Sequence, residues 1–121
     1  MKSVKEEVLK FIKIHDQTSY VELEELFEQI GFNYRGKYAV GAVSAESHLI
    51  TWSGWNAEAF NILSELLAEK LIEQVSVHPV IYFLDGEGLT LPVAKTAKNY
   101  KKPHWLPVAF NACKKGAVEN E

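Results

Sequence analysis

The sequence predicts an α+β domain, on three observations. The stretch up to Gly31 holds two S-x-x-E signatures, each followed by apolar residues at helical spacing. From Phe32 the pattern shortens towards strand-like segments rich in β-branched and aromatic residues. A third helical run, NILSELLAEK, then leads into further short β-rich segments, parted by His78-Pro79 and by DGEG.

Ser3 and Glu6 make the first capping box, in which each residue's side chain accepts a hydrogen bond from the other's backbone amide. Val4, Val8, Phe11 and Ile12 form the apolar stripe behind it, widened by Leu9. The helix ends in HDQTS. Ser19 and Glu22 repeat the box, and Val21, Leu23, Leu26, Phe27 and Ile30 line the second helix. Gly31 is its stop, because glycine takes left-handed dihedrals at little cost. KYAVGAV and HLITW, parted by the polar SAES, read as a β-hairpin, with Gly36 and Gly41 as bends or bulges.

The third helix runs from about Asn56 to Lys70. LIEQVSV and VIYFL read as strands, with LTLPV as a third, short edge strand containing Pro92. Three helices, a hairpin inserted after the second, and a C-terminal antiparallel wing make a winged-helix-like order. We expect a single domain over residues 1–110 and a flexible tail over 111–121.

With 121 residues and 47% hydrophobic content, the chain suits one domain with one core. The net charge of −3 gives no whole-molecule attraction to nucleic acid. A lone cysteine, Cys113, excludes an intramolecular disulfide and a four-cysteine zinc site. Charges interrupt the apolar positions of the N-terminal segment, unlike a signal peptide, and no apolar run approaches the ~20 residues of a membrane span. The expected location is cytoplasmic.

Two of three tryptophans fall in TWSGWNAEAF. With Asn56 as N-cap, Trp55 and Phe60 take the spacing of a hydrophobic staple, which sets the angle at which the chain joins the helix. Trp55 then has a structural role. Trp52 shares a strand face with His48, and one exposed edge of it beside His48 is a candidate partner contact. Asn61 and Glu65 are further candidates, on the outward side of the third helix.

Nucleic-acid contacts need cations for phosphates. The third helix offers Glu58, Glu65 and Glu69 against Lys70, and the second offers Glu22, Glu24, Glu25 and Glu28, which reads as a solvated acidic face. Residues 1–94 hold seven Lys or Arg and fourteen Asp or Glu, a net of −7; residues 95–121 hold six Lys and two Glu, a net of +4. Lys95, Lys98, Tyr100, Lys101, Lys102 and His104 therefore form the main candidate nucleic-acid segment, with Trp105 as a possible stacking platform. Arg35 and Lys37 are a weaker basic pair.

No histidine pair has helical metal-ligand spacing, and neither G-x-S-x-G nor a glycine-rich phosphate loop is present. DGEGLT fails the EF-hand pattern and is explained by a turn. No catalytic residue, metal or cofactor is expected. WSGWNAEAFNIL, VIYFLDGEGLTLPVAK and PHWLPVAF together resemble small proteins of staphylococcal phages, pathogenicity islands and related Gram-positive mobile elements, over roughly Val8 to Phe110. The resemblance implies an accessory role in replication, regulation or dealings with the host, and carries no catalytic residues. The leading expectation is a non-enzymatic accessory protein associated with nucleic acid. The alternative is a protein-binding adaptor or inhibitor of a replication, regulatory or host-defence protein.

Overall fold

The structure, a computed structural model, describes residues 3–41, 48–84, 92–94 and 101–113. It is a mixed α+β arrangement, with four helices and two small three-stranded sheets among the described residues. Helix α1 spans Val4–Ile14, and the Ser3–Glu6 capping box closes in both directions, at 3.2 and 3.0 Å. After a short strand, β1 (Thr18–Ser19), the second box forms between Ser19 and Glu22 and opens α2 (Tyr20–Ile30). Gly31 ends α2 with φ 74°, as its position predicts.

The hairpin consists of β2 (Arg35–Gly41) and β3 (Leu49–Trp55), paired antiparallel. Residues 42–47 lie outside the described residues. The pairing slips around Gly36: Arg35 and Tyr38 both face Trp55. A Cβ at Gly36 would stand 2.5 Å from Asn56 Cα and 2.7 Å from the Trp55 carbonyl oxygen, so only glycine lets β2 approach the start of the next helix this closely.

Helix α3 covers Ala57–Ala68. Asn56 is its cap, accepting the Ala59 amide at 2.8 Å while its own Nδ2 donates to the Asn33 carbonyl. The Trp55 and Phe60 rings stack with centroids 5.1 Å apart, the staple expected from their spacing. Strand β4 (Ile72–Ser76) follows.

Beyond β4 the structure departs from the sequence reading. VIYFL is not a strand: Val80–Leu84 form a short helix, α4. His78 accepts the Val80 amide through Nδ1 at 3.1 Å, and carbonyls of His78 and Pro79 accept the next two amides, closing a helical turn. Tyr82 is thereby carried into the core, where its hydroxyl donates to the Val108 carbonyl at 2.6 Å and accepts the Tyr20 amide at 3.1 Å. Burial of this one side chain overrides the β-propensity of its neighbours. LTLPV fares differently: residues 85–91 lie outside the described residues, and Val93 makes an isolated parallel bridge to Trp105.

The strand that pairs with β4 is β6 (Val108–Ala112), preceded by the short β5 (His104–Trp105). β6 is the middle of one sheet, ordered β1-β6-β4 and antiparallel throughout. It runs two residues past the boundary expected at Phe110, and Cys113 continues the contact by donating to the Leu71 carbonyl. Residues 114–121 lie outside the described residues. The other sheet is ordered β2-β3-β5, with β5 parallel to β3. Between the sheets and helices sits an aromatic core, with Tyr20 stacked on Trp52 and edge-on to Trp55, Phe60 and Phe110.

Candidate nucleic-acid and partner-contact site

All three tryptophans belong to the core. Trp52 is 3% exposed, and Trp55 and Trp105 are fully buried. The expectation of an exposed Trp52 edge is corrected: its ring stacks on Tyr20, and its neighbour Thr51 is buried too, because the hairpin register shifts beside Val40 and breaks simple alternation. Trp105 packs edge-on to Tyr82 at 5.1 Å, so it offers no platform to a base.

Glu24 also departs from the solvated acidic face expected of α2. Its Oε2 accepts both indole N–H groups, from Trp52 at 3.0 Å and Trp55 at 2.9 Å. Spacing carried a signal here: Tyr20, Glu24 and Phe27 recur at helical intervals, which puts Glu24 on the border of the buried stripe. Glu28 is likewise engaged, accepting from Tyr34 at 2.8 Å and from Arg35 at 3.3 Å. Burial chiefly, with the hydrogen bond to Glu28, pushes the Tyr34 hydroxyl up to about 12.

The basic candidates divide into two groups. Arg35 and Lys37 are exposed at the end of β2 that faces Trp55, and the Arg35 guanidinium lies 5.1 Å over the Tyr34 ring. Lys101 and Lys102 are exposed just before β5, whose His104 pairs with Leu49 at the opposite end of β3. Six residue steps of extended chain separate these ends, about 20 Å. The groups flank one sheet without converging. Lys95, Lys98 and Tyr100 lie outside the described residues.

The second group gains a member that sequence spacing did not associate with it. The His104 amide donates to the His48 carbonyl at 2.8 Å, bringing together residues far apart in the chain. His48 is exposed, with φ 55°; His104 is half-buried, and its Nδ1 donates to the Lys102 carbonyl at 2.8 Å. The backbones of His48 and His104 thus meet at the end of the sheet that Lys101 and Lys102 precede. β2, β3 and β5 contain no carboxylate at all.

Comparison of the chain with protein-family models, with curated proteins and with solved structures found no match.

Asn61 and Glu65 are exposed on α3 and line a shallow groove of about 510 Å³ with Val4, Lys5, Phe32 and Ile62. Lys5 bridges the helices, at 3.2 Å from Glu65 and 2.6 Å from Glu69, and its hydrogen bonds to Glu69 and then Glu65 raise its pKa. Among the described residues no three His, Cys, Asp or Glu side chains gather as metal ligands, and no helix is long and apolar enough to cross a membrane.

Proposed function

We propose that the chain is a non-enzymatic, cytoplasmic accessory protein of a phage or related mobile element, built on a winged-helix-like frame and contacting nucleic acid. The frame is supported by the order α1-β1-α2-α3-β4-β6, with β6 lying between β1 and β4. The β2–β3 hairpin and the segment between β4 and β6 are then insertions. The mobile-element assignment is supported by WSGWNAEAFNIL, VIYFLDGEGLTLPVAK and PHWLPVAF.

The observation that carries the nucleic-acid reading is the separation of charge. The outward side of α3, which would read bases in a helix-turn-helix protein, presents Glu58, Asn61 and Glu65. The β2-β3-β5 sheet, free of carboxylates, has Arg35 and Lys37 at one end and Lys101, Lys102 and two histidines at the other. Phosphates are therefore met by this sheet and its flanks, with little reading of sequence.

Fluorescence anisotropy with labelled single- and double-stranded oligonucleotides across a salt series tests this. Replacing both lysines (Lys101→Ala with Lys102→Ala) makes the log–log salt slope shallower by about 0.9 per lost contact on duplex and about 0.7 on single strands. Absence of binding by wild type at low salt overturns the reading.

The second reading, a protein-binding adaptor or inhibitor, is favoured by the groove beside Asn61 and Glu65, where Val4, Phe32 and Ile62 lie among charged and polar residues in a mixed lining that suits a partner segment. Its signature is a partner recovered from an element-carrying host that survives nuclease treatment.

A further inference from the structure

We propose that the outer edge of β2 docks an extended acidic segment of a partner protein, which joins the three-stranded β2-β3-β5 sheet as a further strand. Neither the phosphate contacts nor the groove beside α3 is needed for it.

The sheet ends at β2. Among the described residues no strand pairs with β2 on the side away from β3. Residues 35–39 and 41 are exposed, and Val40 is half-buried. An unpaired edge presents backbone N–H and C=O groups as a template for another chain. Proteins ordinarily blunt such edges by shortness, by proline or by bulges. β2 is seven residues long and contains no proline. Its own bulge is confined to Gly36 and Lys37, which lie between Arg35 and Tyr38, both opposite Trp55. Past Tyr38 the slips fall on the other strand. Ala39 faces Ser53 and Gly41 faces Ile50, so the extra residues are Gly54 and Thr51, and residues 38–41 keep a continuous edge.

Charge selects the occupant. β2, β3 and β5 contain no carboxylate, while Arg35 and Lys37 are exposed on β2. Glu28 already engages Arg35 at 3.3 Å, which makes Lys37 the main attraction. A second copy paired through its own β2 would add its cations to this carboxylate-free sheet, and like charges across a strand pair are destabilising. An acidic segment instead sets carboxylates opposite them. Tyr38, 60% exposed, offers its ring to an apolar residue of the incoming strand.

The test adds short labelled peptides to the full chain at low salt and follows fluorescence anisotropy. In one peptide glutamate alternates with valine; in its control lysine replaces glutamate. The glutamate peptide binds, and the lysine peptide binds at least about tenfold more weakly. Lys37→Glu weakens the glutamate peptide by about 2- to 10-fold, with thermal unfolding confirming that the variant is folded. A glutamate–valine peptide N-methylated throughout keeps every side chain but has no backbone donor, and it loses about tenfold or more in affinity. Hydrogen exchange with the plain peptide bound shows added protection in β2 and none in α1.

Equal binding of plain and methylated peptides, or of the glutamate and lysine peptides, overturns the proposal, as does the absence of binding at low salt. Protection of the same β2 amides by raised protein concentration alone gives the edge to a second copy, and protection by oligothymidylate gives it to nucleic acid; either result also overturns it. The nucleic-acid reading stands or falls separately, on oligonucleotide binding.

Discussion

Glu24 binds two tryptophans through one oxygen. The indole N–H groups of Trp52 and Trp55 belong to buried rings, and donors buried without an acceptor cost about 1–3 kcal/mol each. Glu24→Leu should therefore destabilise the protein by about 2–5 kcal/mol in urea unfolding. Glu24→Gln retains an acceptor at the same reach and should keep most of that stability. Equal stability of the leucine variant and wild type would show that the shared acceptor does not matter. In the sequence, a carboxylate amid other carboxylates reads as solvated. Its helical phase, set by Tyr20 and Phe27, was the better guide.

At the scale of elements, a close backbone approach holds the hairpin to the start of α3, beside the Trp55–Phe60 stack. Tyr34 receives the Asn56 amide at 2.7 Å, and Gly36 leaves no room for a methyl group beside Asn56. The atoms a Cβ would meet are backbone, so no rotamer change relieves them. Gly36→Ala should cost about 1–3 kcal/mol or more, by pushing β2 away from the cap of α3. Thermal unfolding measures the loss, and a variant of wild-type stability would mean that the hairpin can shift freely. The same scale accounts for the helix at VIYFL. Its composition suits a strand, yet Tyr82 must reach Val108 and Tyr20, and a short helix after Pro79 delivers it there. Locally only Pro79 and the His78 ring, which accepts the Val80 amide, mark a helix start.

The whole molecule is organised around an aromatic cluster with buried phenols, and this governs its alkaline behaviour. Burial pushes the Tyr20 hydroxyl from 10.0 up to about 12, against a smaller lowering by its hydrogen bond with Thr51. Tyr34 is raised to about 12 as well. The folded state holds both phenols neutral at a pH where the unfolded chain ionises them. Their contribution is therefore complete below pH 10 and is lost as pH rises from 10 towards 12. For Tyr20 the loss is on the order of 2–3 kcal/mol across that window. Urea midpoints measured from neutral to alkaline pH should fall there, and Tyr20→Phe should flatten part of the fall. A midpoint independent of pH up to 12 would contradict the burial of these phenols.

The sequence by itself determined what depends on near neighbours: both capping boxes, the Gly31 stop, the Asn56 cap, the Trp55–Phe60 staple, and the two strands of the hairpin. Each is an interaction across a few residues, written in spacing and residue type. Tertiary structure alone decided which strand joins β4, because β6 lies far along the chain and competes with a nearer, equally β-rich segment. It also decided that Trp105 is core and that His48 stands beside His104. Parallel pairing of β5 with β3 has no local signature; its register, Leu49 with His104 and Ile50 with Trp105, goes with burial of Trp105 against Trp52 and Tyr82, a condition that exists only once the core has formed.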